Sequence, residues 1–98
     1  MDKVLVKVYV PMLEKVYDIW IPSHKRIYNV IILLIKAINE LNDNCYRPEK
    51  MPMLYDKITG KIYDINLNIK ESTIRSGTEI ILLWIWWFFM VDKTESEL

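Results

Sequence analysis

The sequence predicts an α+β domain in which one helix of about four turns packs across a mixed sheet of four or five strands. Three observations carry that expectation. Residues 3–10 alternate, with Val4, Val6, Val8 and Val10 on one face and Lys3, Leu5, Lys7 and Tyr9 on the other. Residues 16–21 alternate again, setting Tyr17, Ile19 and Ile21 against Val16, Asp18 and Trp20. Ile27, Val30, Leu34, Ile38 and Leu41 then recur at spacings of 3, 4, 4 and 3. Period two belongs to strands and a period near 3.6 to helices, so the switch separates sheet from helix.

The two alternating segments flank a short connection at Pro11–Lys15, which makes an N-terminal hairpin. Pro22-Ser23 stops the second strand, and Ser23 is the expected helix N-cap, since its hydroxyl suits a first-turn N–H. Ile31 and Ile35 widen the helical stripe, and Asn42-Asp43-Asn44 ends it. After a loop with Pro48 and Pro52, residues 53–56 and 61–64 read as short strands around a turn at Thr59-Gly60. One helical turn is expected at 71–74, a tight turn at Ser76-Gly77, and a last apolar strand over 78–83. The expected core is Val4, Val6, Val8, Tyr17, Ile19, Ile21, Ile27, Val30, Leu34, Ile38, Leu54, Ile62, Leu67, Ile80 and Leu82.

Composition narrows the functional classes. Ninety-eight residues suit a single domain, and 52% hydrophobic residues, fifteen of them isoleucine, supply its core. Thirteen basic residues balance thirteen acidic ones, which removes the electrostatic case for a nucleic-acid partner. The tyrosines (9, 17, 28, 46, 55 and 63) fall on no common predicted face, so they make no base-stacking platform. A lone Cys45 and a lone His24 allow neither an internal disulfide nor a zinc site, and they suit a reduced, cytoplasmic compartment. Neither end carries a signal-peptide or lipidation pattern. The longest apolar run, Ile80 to Val91, has 12 residues, whereas a spanning helix needs about 20.

No catalytic set emerges. His24 lies between Ser23 and Lys25-Arg26, Cys45 lies in a polar loop, and no spacing brings the two together. The only glycines are Gly60 and Gly77, so there is no glycine-rich phosphate loop. The expectation is a non-enzyme without cofactor or metal.

The order strand, strand, helix, strand, short strand, helical turn, strand is the β-grasp order of ubiquitin. Ile21-Pro22-Ser23 followed by Ile27-Tyr28-Asn29-Val30 resembles the strand-to-helix junction of ubiquitin itself. Gly60-Lys61-Ile62-Tyr63-Asp64, with Ile74-Arg75-Ser76-Gly77-Thr78-Glu79-Ile80-Ile81-Leu82-Leu83, resembles the C-terminal third of the YukD/EsaB-like ubiquitin-fold proteins of type VII (WXG100) secretion systems. That resemblance implies a ubiquitin-like domain over 1–83, followed by an aromatic and then acidic extension over 84–98. It further implies a small cytoplasmic accessory or regulatory component of such a system, bound to a protein of the secretion machinery. Ubiquitin-type modifiers end in Gly-Gly, and no glycine follows Gly77 here, so conjugation is not expected.

Two segments stand out as binding candidates. His24-Lys25-Arg26 places cations where a helix dipole prefers anions, which points to an anion or acidic-partner site. The second is the terminal run. A strand covered on one side alternates, yet Ile81 and Leu83 put apolar groups on the outer face. Trp84, Trp86, Trp87, Phe88 and Phe89 extend the run, and aromatic side chains of about 150–250 Å² each exceed what a soluble monomer leaves uncovered. Three destinations are open: the domain's own sheet, a second copy in a homodimer, or another protein or a membrane surface. Self-association ranks first. Protein contact ranks above peripheral membrane contact, because residues 92–98 hold three carboxylates against Lys93 and would be repelled by anionic lipid. The rival readings are a self-assembling ubiquitin-fold protein unrelated to secretion and a membrane-peripheral protein held by the aromatic run.

Overall fold

Alternation in the first twenty-two residues becomes a hairpin. In the computed structural model, which describes residues 2–43, 46–48 and 50–84, β1 (Lys3–Val10) pairs antiparallel with β2 (Lys15–Pro22). The register runs without a break from Lys3↔Pro22 to Val10↔Lys15. The connection is a 3₁₀ turn, Pro11–Leu13, with Pro11 supplying the fixed φ of its first position. Glu14 closes it in the left-handed region at φ 53°, donating its N–H to the Pro11 carbonyl at 3.1 Å.

The helix α1 (Ile27–Leu41) buries Ile27, Val30, Leu34 and Ile38 of the expected stripe, and Ile31, expected to widen it. Leu41, in the last turn, is exposed. Asn42 ends the helix, its Nδ2 donating to the Ile38 carbonyl at 2.8 Å, and Asp43 turns left-handed at φ 53°.

The helix start departs from expectation. Ser23 is not the N-cap; Arg26 is, in extended geometry and without a side-chain cap. The cause is that residues 22–26 are committed to other segments. The Ser23 N–H donates to the Asp2 carbonyl at 2.7 Å, and the Ser23 and Lys25 carbonyls accept from Lys70 and Ile69 at 2.9 and 3.1 Å. The first-turn donors of Ile27 and Tyr28 reach the Leu67 and Ile65 carbonyls, at 2.8 and 3.1 Å. A backbone loop therefore does what the Ser23 hydroxyl was expected to do.

Two more strands complete the sheet. β3 (Met53–Asp56) pairs antiparallel with β4 (Glu79–Leu83), and β4 lies parallel to β1, giving the order β2-β1-β4-β3. The expected strand at 61–64 shrinks to one bridge, Tyr55↔Ile62. Tyr63 N–H still donates to the Leu54 carbonyl at 2.9 Å, and this turns Tyr63 inward in place of Ile62, which is 52% exposed. Of Leu67 and Ile69, both expected to cover this end of the core, Ile69 is buried and Leu67 is exposed. The helical turn sits at Ile69–Glu71 rather than 71–74, held by a capping box in which Asn68 and Glu71 bond each other's backbone N–H.

The core lies between α1 and the inner sheet face. Val6, Val8, Val10, Ile21, Leu54, Ile80 and Leu82 meet the helix stripe, and Tyr46, Tyr63, Ile69 and Ile74 close the ends. Val4, Tyr17 and Ile19, expected inside, are half-buried against it. Each fully buried aliphatic side chain contributes about 1.5–3 kcal/mol, so this layer sustains the fold.

Candidate interaction surface

The sheet has a second face that no described element covers. Alternation sends Lys3, Leu5, Lys7 and Tyr9 of β1 away from α1, and pairing sets each beside an outward residue of the next strand. Val16, Tyr9, Ile81 and Tyr55 thus form one row across all four strands, through the pairs Tyr9↔Val16, Tyr9↔Ile81 and Tyr55↔Ile81. Leu83 and Met53 form a second apolar pair beyond it. On the other side runs a charged row, in which Lys7 pairs with both Asp18 and Glu79 and its Nζ lies 3.2 Å from Asp18 Oδ1. Past that row, Leu5 faces Trp20. Val16 is 56% and Trp20 60% exposed, so the β2 side of this face is open to water. The Lys57 ammonium lies 5.9 Å from the Tyr9 ring centroid, a cation–π contact at the far edge.

Beside the sheet, residues 56–60 form a rigid turn. Asp56 Oδ1 accepts from the N–H groups of Ile58 and Thr59 at 2.8 and 3.0 Å, and Oδ2 accepts from the Tyr63 hydroxyl at 3.1 Å. These bonds to the charged form, led by the Thr59 and Ile58 N–H groups, hold the carboxyl below the usual carboxylate range. Gly60 supplies the left-handed residue at φ 75°. The turn leaves Ile58 83% exposed at its tip.

Of the residues singled out by sequence, Ile81 and Leu83 lie half-buried on the open face. Trp84 does not join them. It keeps the inward parity of Ile80 and Leu82, and it is buried, its Nε1 without a hydrogen-bond partner among the described residues. Trp86, Trp87, Phe88 and Phe89 lie outside the described residues, as does Cys45. His24, Lys25 and Arg26 are exposed together at the start of α1, but the Ile27 and Tyr28 N–H groups beside them are already bonded to carbonyls. Any anion there meets side chains rather than that pair of backbone donors. Of the six tyrosines, Tyr9 and Tyr55 share the open face, whereas Tyr46 and Tyr63 are buried.

With this geometry in place the chain was compared with known proteins. No protein-family model matches it, and no curated protein matches it. Solved structures do. The EccD5 ubiquitin-like domain from Mycobacterium xenopi superposes with a TM-score of 0.68 at 19% identity, over 84% of this chain and 93% of that one. The ubiquitin-like domain of the type VII secretion system protein ECCD1 of Mycobacterium tuberculosis gives 0.67 at 9% identity, over 86% of this chain and all of that one. A chain of the MycP5-free ESX-5 inner membrane complex gives 0.66 at 12% identity, over 98% of this chain and 27% of its own length. The fold is ubiquitin-like. At these identities the likeness establishes architecture, and architecture alone does not assign a role.

The described residues hold no group of three or more His, Cys, Asp or Glu able to bind a metal, and none of their helices is long and apolar enough to cross a membrane. What the surface offers is a flat apolar row bordered by charge, a composition suited to docking. Sequence reasoning missed Val16, Tyr9 and Tyr55 as one patch. Their outward parity was readable, but their adjacency depends on registers between distant strands.

Proposed function

We propose that this chain is a non-catalytic binding module, an accessory or regulatory component of a type VII-like secretion system. The observation that carries this reading is the row Val16–Tyr9–Ile81–Tyr55, an apolar surface that no described element covers and the core does not use. Three of the superposed structures come from type VII or ESX secretion proteins, which supports the system; the sequence pattern of residues 74–83 supports the YukD/EsaB-like and WXG100 branch of it. The module acts in the cytoplasm or at the inner face of the membrane and docks through the sheet face and the aromatic run that follows. Co-purification from the native host tests this, with the secretion ATPase and membrane components as the expected companions. Repeated recovery without any of them would defeat the assignment.

A second reading has its own support. Ile81 and Leu83 on the open face, at the start of the apolar run Ile80–Val91, favour pairing with another copy, so the docking partner includes a homodimer mate. Light scattering on the full chain beside a version ending after Leu83 decides it. A dimer that becomes a monomer on truncation locates the interface in the run; two monomers remove the homodimer from the proposal.

A further inference from the structure

The end of the domain where the hairpin closes onto α1 gathers cations from three distant segments. Lys3 pairs with Pro22, the Ser23 N–H bonds Asp2, the Lys70 N–H bonds Ser23, and the Ile69 N–H bonds Lys25. These backbone links bring residues 2–3, 22–26 and 69–70 together although up to 68 positions separate them in sequence. A cleft of about 390 Å³ opens there, with Lys3, Lys70 and Arg75 on its wall and Asp2 as its one carboxylate. The exposed His24, Lys25 and Arg26 follow directly on Ser23 of its lining. The Lys7–Asp18 and Lys57–Glu79 ion pairs do not involve this cluster. Glu71, the nearest acid in sequence to Lys70, has its carboxylate engaged by the Asn68 N–H at 3.0 Å.

Like charges brought together repel, and among the described residues of the cleft lining only Asp2 offsets the three cations. The chain as a whole is neutral, so the cluster is a local polarity rather than a general excess. We infer that the cleft lined by Lys3, Lys70 and Arg75, next in the chain to the exposed Lys25 and Arg26, binds an acidic peptide segment of a partner protein. The chemistry favours a peptide over phosphate. Phosphate sites rely on converging backbone N–H groups, and the N–H groups of Ser23, Ile27, Tyr28, Ile69 and Lys70 are all spent on carbonyls. The cleft lining then offers the Lys3 and Lys70 ammonium groups and the Arg75 guanidinium, separate cations that suit carboxylates spaced along a chain. Arg75 is the exception in stiffness: its Nη1 donates to the Ser72 and Ile74 carbonyls, both at 2.7 Å, which anchors one planar guanidinium at the wall. The inference stands apart from the secretion assignment, because any partner with such a segment would satisfy it.

The test is an amide-resolved NMR titration of the full chain at low salt with a synthetic peptide of alternating Glu and Ser, beside its Gln-for-Glu counterpart. Shifts should be confined to Lys3, residues 23–26 and residues 69–75, fade as salt is added, and be absent with the Gln peptide. The double reversal Lys3→Glu with Lys70→Glu should weaken binding by roughly tenfold or more. Lys36→Glu with Lys61→Glu makes the same change in net charge away from the cleft and should leave affinity within about twofold. Absence of binding, shifts scattered over the surface, or equal losses in the two double variants would each overturn the inference. So would inorganic phosphate, or phosphatidylserine vesicles, reproducing the same shifts while the peptide does not.

Discussion

The two faces of the same four strands make an instructive pair. Inward, Val6, Val8, Leu54, Ile80 and Leu82 are sealed under α1; outward, one residue along each strand, Tyr9, Tyr55, Ile81 and Leu83 are nearly as apolar, yet no helix among the described residues covers them. Apolar content therefore does not separate core from surface in this domain. What separates them is whether a second layer arrives. The inner face meets the helix stripe and excludes water, so its burial stabilises folding. The outer face keeps part of its apolar area in water, and that area is free to stabilise association instead.

Neighbouring residues of β4 break or sharpen this contrast most directly. Leu82→Ala removes a fully buried side chain and should cost about 2–5 kcal/mol by denaturant unfolding, whereas Ile81→Ala on the open face should cost about 1 kcal/mol or less. Equal costs would mean that the outer face is a second core. The next effect is alkaline. Burial pushes the Tyr46 hydroxyl up to about 12, so the folded state resists its ionisation. The sign follows from a raised folded value: stability is whole below about pH 10, the unfolded value, and declines as pH rises toward the folded one. Comparing denaturation midpoints of the wild type and Tyr46→Phe across that window should reveal a difference on the order of 2–3 kcal/mol by its upper end. A parallel decline in both proteins would rule out Tyr46 as the cause.

Smaller effects test the supports. Asn68→Ala breaks the capping box that sets Ile69 inward, and should lower stability by about 1 kcal/mol. Recovery of full stability in that variant would show that Ile69 is held by packing alone. Smallest in stability, though not in assembly, is the double change Val16→Thr with Trp20→Ser. It should leave the unfolding midpoint within about 0.5 kcal/mol while reducing any self-association read by light scattering. A large loss of stability would move β2 from the open face into the folding core.

The elements of this domain were legible where periodicity was strong. Alternation placed β1 and β2, and the 3-4-4-3 spacing placed α1 with its buried stripe nearly residue for residue, because those signals are local and each strand or turn repeats them. The segment after Pro52 was less legible. Ile62 and Leu67 look like core residues beside Tyr63 and Ile69, and single hydrogen bonds, from Tyr63 to Leu54 and within the Asn68–Glu71 box, decide which of each pair turns inward. Ser23 failed as a cap for a related reason. Its pattern is a good N-cap signal, but long-range bonding to Asp2 and Lys70 claimed the backbone around it.

For the surfaces the division is sharper. From the sequence alone came the apolar outward parity of Ile81 and Leu83, the cationic triplet His24-Lys25-Arg26, and the balance of charges that argues against nucleic acid. The joining of Val16, Tyr9, Ile81 and Tyr55 into one row, and of Lys3, Lys70 and Arg75 around one cleft, came only with the tertiary structure. The physical reason is common to both. A side chain's face follows from the strand or helix that carries it, a local property, whereas its neighbours across the sheet follow from registers and crossovers set by the burial of the other face.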